Sequence, residues 1–504
     1  MRCLRLAISL KKKGHKCTIF IDNKINNKIF NKNIKHVYLY NSKKKFSENL
    51  DSRIFNEKTD KKGFVFVDDY RLNKIWQTQV KRKHQKIIVI DDFSDKKIIA
   101  DILINTKPDF LIQSNYEKET IRNKNSKLLL GPKYAIIDNK KDNYFKKKNS
   151  LYRICFYFGG SGNLNLPIKI IKNLVHKVNL KKVQINIVVG PFSKNKNKLL
   201  KLQNKCKKIK VLKPSSNLSR KFKNFDLFIG SAGISLFETA LYNIPSIIFV
   251  INDNQKVDTN SLEKLGHYFV LNKNDLKKVS KISDIIILFS KNKQRINKLI
   301  TNREFNIDEK GSDRIVKEVF SKNKSTPKFE YIYGRNILKS EKKLKIEKIQ
   351  DKEINIYRQT RNNLINRKFS LNNSVIEKVD HYNWWFKNNR ESYSVKKNNK
   401  TLMYFFHDIF KINNYTFLIP GWYILNKQIS FLDIMQGITK QYKILINNKK
   451  FKNVFQIGII NKKNKSMINL APKLNWRLID KNDSILKVLK TRIKIKNFFN
   501  YYRR

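Results

Sequence analysis

Two runs of small residues, each trailing a short apolar stretch, mark where this chain could do chemistry. In "DLFIGSAGISLFETALYNIPSIIFVINDNQ" the pattern reads as a strand to Ile229, a turn Gly230-Ser231-Ala232-Gly233, a helix from about Ile234 and a second strand. Small side chains let a ligand approach the backbone. The free N–H groups and the dipole at the start of a helix then make an anion site suited to a diphosphate. Glu238 lies one turn into that helix, where its two carboxylate oxygens could accept both hydroxyls of a ribose. Asn243 stands where a helix-ending glycine is expected, and Asn tolerates that left-handed conformation. The second run, "CFYFGGSGN", puts Gly159, Gly160, Ser161 and Gly162 directly after another strand. Both loops fall at the carboxyl edge of one sheet, where the ligand crevice of a doubly wound sheet lies. Spacing alone fits an ordinary strand-turn-helix without a ligand equally well.

The elements around these loops divide the chain. From 1 to 149, helical stretches alternate with "KCTIFID", "HVYLY", "GFVFVDDY", "KIIVIDDF" and "DILIN", near-continuous apolar strands that suit a buried parallel sheet. A Lys/Asn-rich seam precedes a second α/β series, 150–322, which holds both small-residue runs and closes with a helix over 311–322. Residues 323–334 lack pattern and read as a linker; 335–504 read as a mixed α+β domain, with strands at "NILKSEKKLKIEKI", "TLMYFFHDI" and "YTFLIPGWYIL". The chain opens "MRCLRLAISLKKKGHKCTIFI": Leu4, Ala7 and Ile8 lie at helical spacing, Gly14 sits at a cap position, and a strand follows. A helix of this kind normally follows a strand, so the α-β opening implies a strand ahead of it.

Composition bounds the remaining classes. The chain has 504 residues, 40% of them hydrophobic, which is enough for real cores and about three domains. Lys and Arg number 108 against 40 acidic residues, a formal charge of +68. Such a charge attracts polyanions, but the basic residues are spread through the text among Asn and Ile rather than gathered in a stripe, so no specific nucleic acid partner is expected. Four scattered cysteines, Cys3, Cys17, Cys155 and Cys206, without a C-x-x-C pair, point to a reduced, cytoplasmic setting. The longest apolar runs are strand-length, short of the roughly 18–20 residues of a membrane span. The seven histidines form no cluster, so no metal is expected.

In order along the chain, "MRCLRLA…GHKCTIFI", "VDDY", "IDDFSD…ADILIN", "LLGPKYAIID", "FGGSGN", "IGSAGISLFETALYNIPSIIF…NDNQ" and "IDEKGSDRIVKEV" resemble the UDP-2,4-diacetamido-2,4,6-trideoxy-β-L-altropyranose hydrolase of pseudaminic acid synthesis. That family is related to the GT-B glycosyltransferase that makes lipid II. The resemblance spans about Met1 to Phe320 and implies a GT-B-like pair of Rossmann-type domains. Its reaction is metal- and cofactor-independent release of UDP from an amino sugar by water attack with inversion. It implies that backbone donors at Ser231, Ala232, Gly233 and Ile234 hold the leaving diphosphate. Glu238 would take the ribose, and Asn254 and Gln255 the sugar or phosphate side. Gly159, Gly160 and Ser161 would complete the UDP-sugar site. Asp68, Tyr70, Asp92 and Tyr134 would line the sugar pocket, although left to the sequence alone Asp68 and Asp92 read more often as capping or loop-solvated acids. Where Gly162 and Asn243 stand, the family usually carries Asp and Gly. Its general-base His lies in a G-x-G-H loop that would precede "MRCLRLA", so the resemblance also implies that Met1 is an internal codon. His15, at the far end of the helix and about 20 Å away at 1.5 Å per residue, cannot replace that base.

The last domain resembles a GNAT N-acyltransferase through "YRQTRNN…R" at Tyr357 to Arg367, "DHYNWWF" at His381, "GWYIL" at Gly421 and "NKKNKSMINLAPKLNW" near Asn464. The resemblance implies acetyl-CoA or another acyl-CoA as its cofactor. Against that stands "NKQISFLDIMQG", which offers no glycine before the helix, with Gly437 inside it; a domain that only binds or stabilises fits as well. Trp384 and Trp385 fit either a pocket wall or a core. The expected activity is therefore UDP-sugar hydrolysis, with a UDP-activated amino sugar and other enzymes of the sugar pathway as partners. A GT-B glycosyltransferase, a non-catalytic UDP-sugar-binding protein and a polyanion-binding protein are the alternatives.

Overall fold

The opening helix and strand form where their spacing puts them. In the computed structural model, α1 (Arg2–Lys12) buries Leu6, Ala7 and Leu10, and Gly14 at φ +85° turns the chain into β1 (Thr18–Ile21). The structure describes residues 2–21, 34–38, 46–59, 62–109, 115–116, 125–138, 151–160, 162–177, 182–190, 193–213, 218–251, 259–305, 307–327, 344–493 and 499–503. It divides into two compact units, Met1–Gly334 and Arg335–Arg504, each described here by itself. Ser161, Asn254 and Gln255 lie outside the described residues. Among the described residues no helix is long and apolar enough to cross a membrane.

The first unit contains two lobes. In the first, β1 pairs in parallel with β2 (Lys35–Tyr38), and a separate parallel sheet runs in the order β3 (Phe64–Val67), β4 (Lys86–Ile90), β5 (Ile102–Asn105), β6 (Lys127–Leu130). Alternation along β4 sends Ile87 and Val89 to one face and Ile88 and Ile90 to the other, and both faces are covered. On the first face, Phe55 of α2 (Glu48–Glu57) and Trp76 and Val80 of α3 (Lys74–Lys83) pack onto the sheet. Strand β6 was not evident from the text, because a lysine followed by three leucines carries no period that separates strand from helix.

The second lobe is a six-stranded parallel sheet. Its strands are β7 (Tyr152–Tyr157), β8 (Val183–Val188), β9 (Ile209–Leu212), β10 (Leu227–Ser231), β11 (Ser246–Phe249) and β12 (Phe269–Leu271), in the order β12-β11-β10-β7-β8-β9. This is the doubly wound order, and its topological switch point falls between β7 and β10. Helix α4 (Asn165–Lys177) follows β7, and α5 (Ser235–Leu241) follows β10. Strand β10 continues to Ser231, two residues past the position its apolar run suggests. The lobe's last helix, α6 (Gly311–Phe320), crosses back: Ile315 and Val319 join Leu6 of α1 on the second face of the β4-β5-β6 sheet. A Cβ on Gly311 would stand 2.1 Å from the carbonyl oxygen of Ala135, so only glycine allows this crossing.

The second unit is α+β. Strands β13 (Lys345–Lys348), β14 (Glu391–Lys397), β15 (Lys400–Ile412) and β16 (Tyr415–Ile424) form an antiparallel meander. Strand β16 then pairs in parallel with β17 (Phe455–Asn461) at only Phe417–Phe455 and Leu418–Gln456, beyond which the two diverge. Strand β17 continues with β19 (Phe499–Arg503), and β19 pairs with β18 (Arg477–Leu478) at the edge. Helices α7 (Ile354–Asn362), α8 (Lys378–Lys387), α9 (Phe431–Asn447) and α10 (Ser484–Arg492) surround the sheet. Within α9, Gly437 gives way to Met403, whose sulfur lies 2.6 Å from where a Cβ would be.

Candidate functional site

The two small-residue loops meet at the switch point. Gly159 follows β7 at φ +85°, a left-handed conformation that favours glycine, and its Cβ position lies 3.9 Å from Ser231 Oγ at the end of β10. Gly190, after β8, packs so tightly that a Cβ there would stand 2.3 Å from the carbonyl oxygens of both Gly159 and Gly160. The segments after β7 and β8 thus approach one another by backbone, with the Ser231 hydroxyl at the end of β10 in contact beside them. Gly162 is equally constrained, since a Cβ would meet the Phe158 carbonyl at 2.3 Å.

The turn after β10 narrows the expectation for its donors. The Ala232 N–H donates to Phe249 O (3.2 Å) and the Gly233 N–H to Ser231 O (2.8 Å), so neither is left for a ligand. Ile234, also expected to cradle a diphosphate, immediately precedes Ser235 at the head of α5.

Glu238 is buried on α5 and meets the first lobe. Its Oε1 accepts 2.6 Å from Arg5 Nη2, while Arg5 Nη1 donates to Ile136 O at 3.0 Å. Burial pushes the Glu238 carboxyl up from its ordinary value, Arg5 pulls it back by charge and hydrogen bond, and Asp138 adds to the upward push. Arg5 thus takes one of the four acceptor positions of this carboxylate. Tyr157, at the end of β7, is pushed up to about 12 by burial and by Glu238.

Three of the four residues expected around the sugar come together on α1. Arg2 binds Asp68, after β3, through Nε (3.1 Å) and Nη2, and Asp92, after β4, through Nη1 at 2.9 Å to both oxygens. The Tyr70 hydroxyl donates to Asp92. Burial works against the Arg2 charge, but Asp92 and Asp68 outweigh it and hold the guanidinium above its ordinary value. Burial and Asp68 push the neighbouring Cys3 thiol up to about 12. Lys107, after β5, donates to the Asp92 carbonyl. Tyr134 is elsewhere: it is buried in the core with Leu6, Ile136 and Ile315, and Lys133 covers its ring. His15 stacks on Phe320 at 4.2 Å, at the far end of α1.

Arg2 and Arg5 are three residues apart, so one turn of α1, a rise of about 4.5 Å, links the first-lobe carboxylates to Glu238 of the second. Neither arginine was singled out by sequence. The signal present was a pair of arginines three residues apart in the first turns of an amphipathic helix.

In the second unit the aromatic patch is mostly core. Tyr357, His381, Tyr382 and Trp385 are buried; His381 Nε2 bonds Ile354 O at 2.8 Å, and Trp385 Nε1 donates to Asp351 at 2.8 Å. Trp384 stacks on Tyr357 and carries the Arg390 guanidinium 5.3 Å from its ring centre. The first turn of α9 does not fit a diphosphate: Ser430 Oγ already caps the Asp433 N–H, and the Asp433 carboxylate, paired with Lys397 at 2.8 Å, sits where an anion would dock.

Comparison with known proteins bears mainly on the second lobe. Residues 154–317 match the family described as Glycosyltransferase family 28 C-terminal domain. An uncharacterized protein of Methanocaldococcus jannaschii, MJ1062, is 27% identical over 354 residues, covering 68% of this chain and 66% of that protein, just under two thirds of its length. A putative UDP-N-acetylglucosamine 2-epimerase from Listeria monocytogenes aligns over 65% of this chain and 96% of its own, with 10% identity and a TM-score of 0.44. An N-acetyltransferase from Staphylococcus aureus aligns over 32% and 98%, with 12% identity and a TM-score of 0.25.

Proposed function

We propose that the first unit binds a UDP-activated 2,4-diacetamido-2,4,6-trideoxy sugar and hydrolyses it to UDP and the free sugar, a step toward a nonulosonic acid such as pseudaminic acid. The observation that carries this reading is the meeting, on one turn of α1, of Glu238 beside the switch-point crevice with the Arg2-bound Asp68 and Asp92. The match of residues 154–317 to a glycosyltransferase domain supports a nucleotide-sugar ligand in that crevice.

In the reaction, water attacks the anomeric carbon, the bond from that carbon to the β-phosphate oxygen breaks, and its electron pair leaves with UDP. The backbone around Gly159 and Gly190 lets the nucleotide close on the sheet edge, and Glu238 accepts from the ribose. Asp68 and Asp92, already paired with Arg2, act as hydrogen-bond acceptors toward the sugar's hydroxyl and acetamido N–H groups. The proton lost by water passes to a general base, which the resemblance expects to be the histidine of a G-x-G-H loop. The site uses no cofactor, and acyl-CoA use by the second unit is not proposed because α9 opposes a diphosphate.

A second reading, transfer of the sugar to an acceptor, is favoured by the glycosyltransferase match itself. Calorimetry with UDP tests the common core: UDP is expected to bind, and Glu238→Ala to weaken it at least about tenfold. Absence of UDP binding by the folded chain would refute both readings. Incubation with the UDP-sugar then separates them, since UDP release without acceptor marks hydrolysis and acceptor dependence marks transfer.

A further inference from the structure

Arg2 opens α1, where the positive end of a helix dipole disfavours a cation, and its side chain is largely buried, which disfavours the charge again. Two carboxylates offset both costs. Asp68 directly follows β3 and Asp92 lies two residues beyond β4, its parallel neighbour, so an interstrand spacing of about 4.8 Å sets two acids side by side at the carboxyl edge of one sheet. Nε and Nη2 of Arg2 grip Asp68, and Nη1 reaches both oxygens of Asp92 at 2.9 Å. One planar fork thus spans two strand ends.

We propose that Arg2 is a positioning residue for the sugar: its fork holds Asp68 and Asp92 as a paired acceptor for hydroxyl and acetamido N–H groups, and so governs what the sugar adds to binding. This role rests on the reading above, in which Asp68 and Asp92 accept from the sugar of a UDP-sugar. Both carboxylates are held without being sealed, since their side chains keep 16% and 15% exposure. A carboxylate has about four acceptor positions, of which Arg2 takes two on each, and the Tyr70 hydroxyl takes another on Asp92.

The loops that carry the two acids have supports of their own. After β4, Asp91 accepts from the Phe93 and Ser94 N–H groups at 3.0 and 2.8 Å, and Lys107 donates to the Asp92 carbonyl. After β3, Asp69 accepts from the Arg71 N–H at 2.9 Å. Removing Arg2 therefore unhooks the carboxylates rather than their backbones, and leaves two like charges that repel. A lysine keeps a charge between them but, as a compact donor on a flexible stem, cannot grip both in fixed directions. The nucleotide is read elsewhere, at the Gly159 and Gly190 backbone and at Glu238, which is tied to Arg5.

The experiment is calorimetry on the full chain with UDP and with the UDP-activated 2,4-diacetamido-2,4,6-trideoxy sugar, KM replacing the dissociation constant for the latter wherever UDP is released. Arg2→Met and Arg2→Lys are each expected to weaken the UDP-sugar at least about tenfold and UDP by less than about threefold. Arg2→Lys, which keeps the charge between the acids, carries the decision if Arg2→Met shows no cooperative melt. An unchanged UDP-sugar affinity, or a loss shared equally by UDP, overturns the role. With Asp68→Asn and Asp92→Asn already in place, Arg2→Met is expected to cost less than about twofold more, because Arg2 acts through the two acids. A full additive loss would put Arg2 on the ligand itself and overturn the positioning role. If the chain with both Asn substitutions binds the UDP-sugar as tightly as the wild type, the carboxylates do not meet the sugar and the underlying reading fails, which is a different outcome from either.

Discussion

Asn243 holds φ +51° just past Tyr242, the cap of α5, a left-handed conformation that an ordinary side chain reaches only with strain. Replacing it by Ala is expected to cost about 1 kcal/mol and by Gly to cost nothing, read as melting temperatures. Gly190 is less forgiving: Ala there would strike the Gly159 and Gly160 carbonyls, and about 1–3 kcal/mol of stability should be lost together with nucleotide binding. At this scale the sequence was readable where chemistry is local. The left-handed Asn, the glycine turns and the carboxylate one turn into a helix all announce themselves within a few residues. Arg2 and Arg5 did not, because their partners lie 66, 90 and 233 positions away, and no local pattern marks a cation whose role is set by such contacts.

Among the elements, α6 has the most consequence per residue. Gly311→Ala should drive this helix off the Ala135 carbonyl and destabilise the first unit by about 1–3 kcal/mol or more, measured by denaturant titration. Buried imidazoles make a separate prediction. Burial lowers His267 to about 4 and His381 to about 3, and each uses Nε2 on a backbone carbonyl. Below about 6.5 the unfolded chain therefore binds more protons than the folded one. Stability is full above that pH and falls on acidification toward 4, by up to about 3 kcal/mol for His267. Glu238, raised, works in the opposite sense in the lower part of the window. Midpoints that stay constant from pH 7.5 to 5 would contradict this. Most strands of both lobes were legible as short apolar runs. Strand β6 and the crossing of α6 were not, since one is too short to show a period and the other depends on which sheet a helix chooses.

Across the whole molecule, the two units have separate cores, so a chain ending at Gly334 is expected to fold and to bind UDP within about threefold of the full protein. A chain ending at Lys310 lacks α6, and its first lobe should show no cooperative melt. The α/β character and the trailing α+β region could be read from alternation and from a change in texture after the second series. The strand order could not, because β10 lies beside β7 only through a crossover that skips two intervening strands. The charge of +68 decided little, as it is spread along the chain rather than gathered on one element.

The seating of Ile315 and Val319 beneath the first sheet also orders events in time. A ribosome delivers β4, β5 and β6 long before it delivers α6, so a greasy strip formed by Ile88, Ile90, Ile104 and Leu129 has α1 and the Tyr134–Ile136 stretch, but not Ile315 and Val319, for shelter during much of synthesis. The nascent amino-terminal half cannot finish maturing alone; it waits, sticky, for the last helix of its neighbour to emerge.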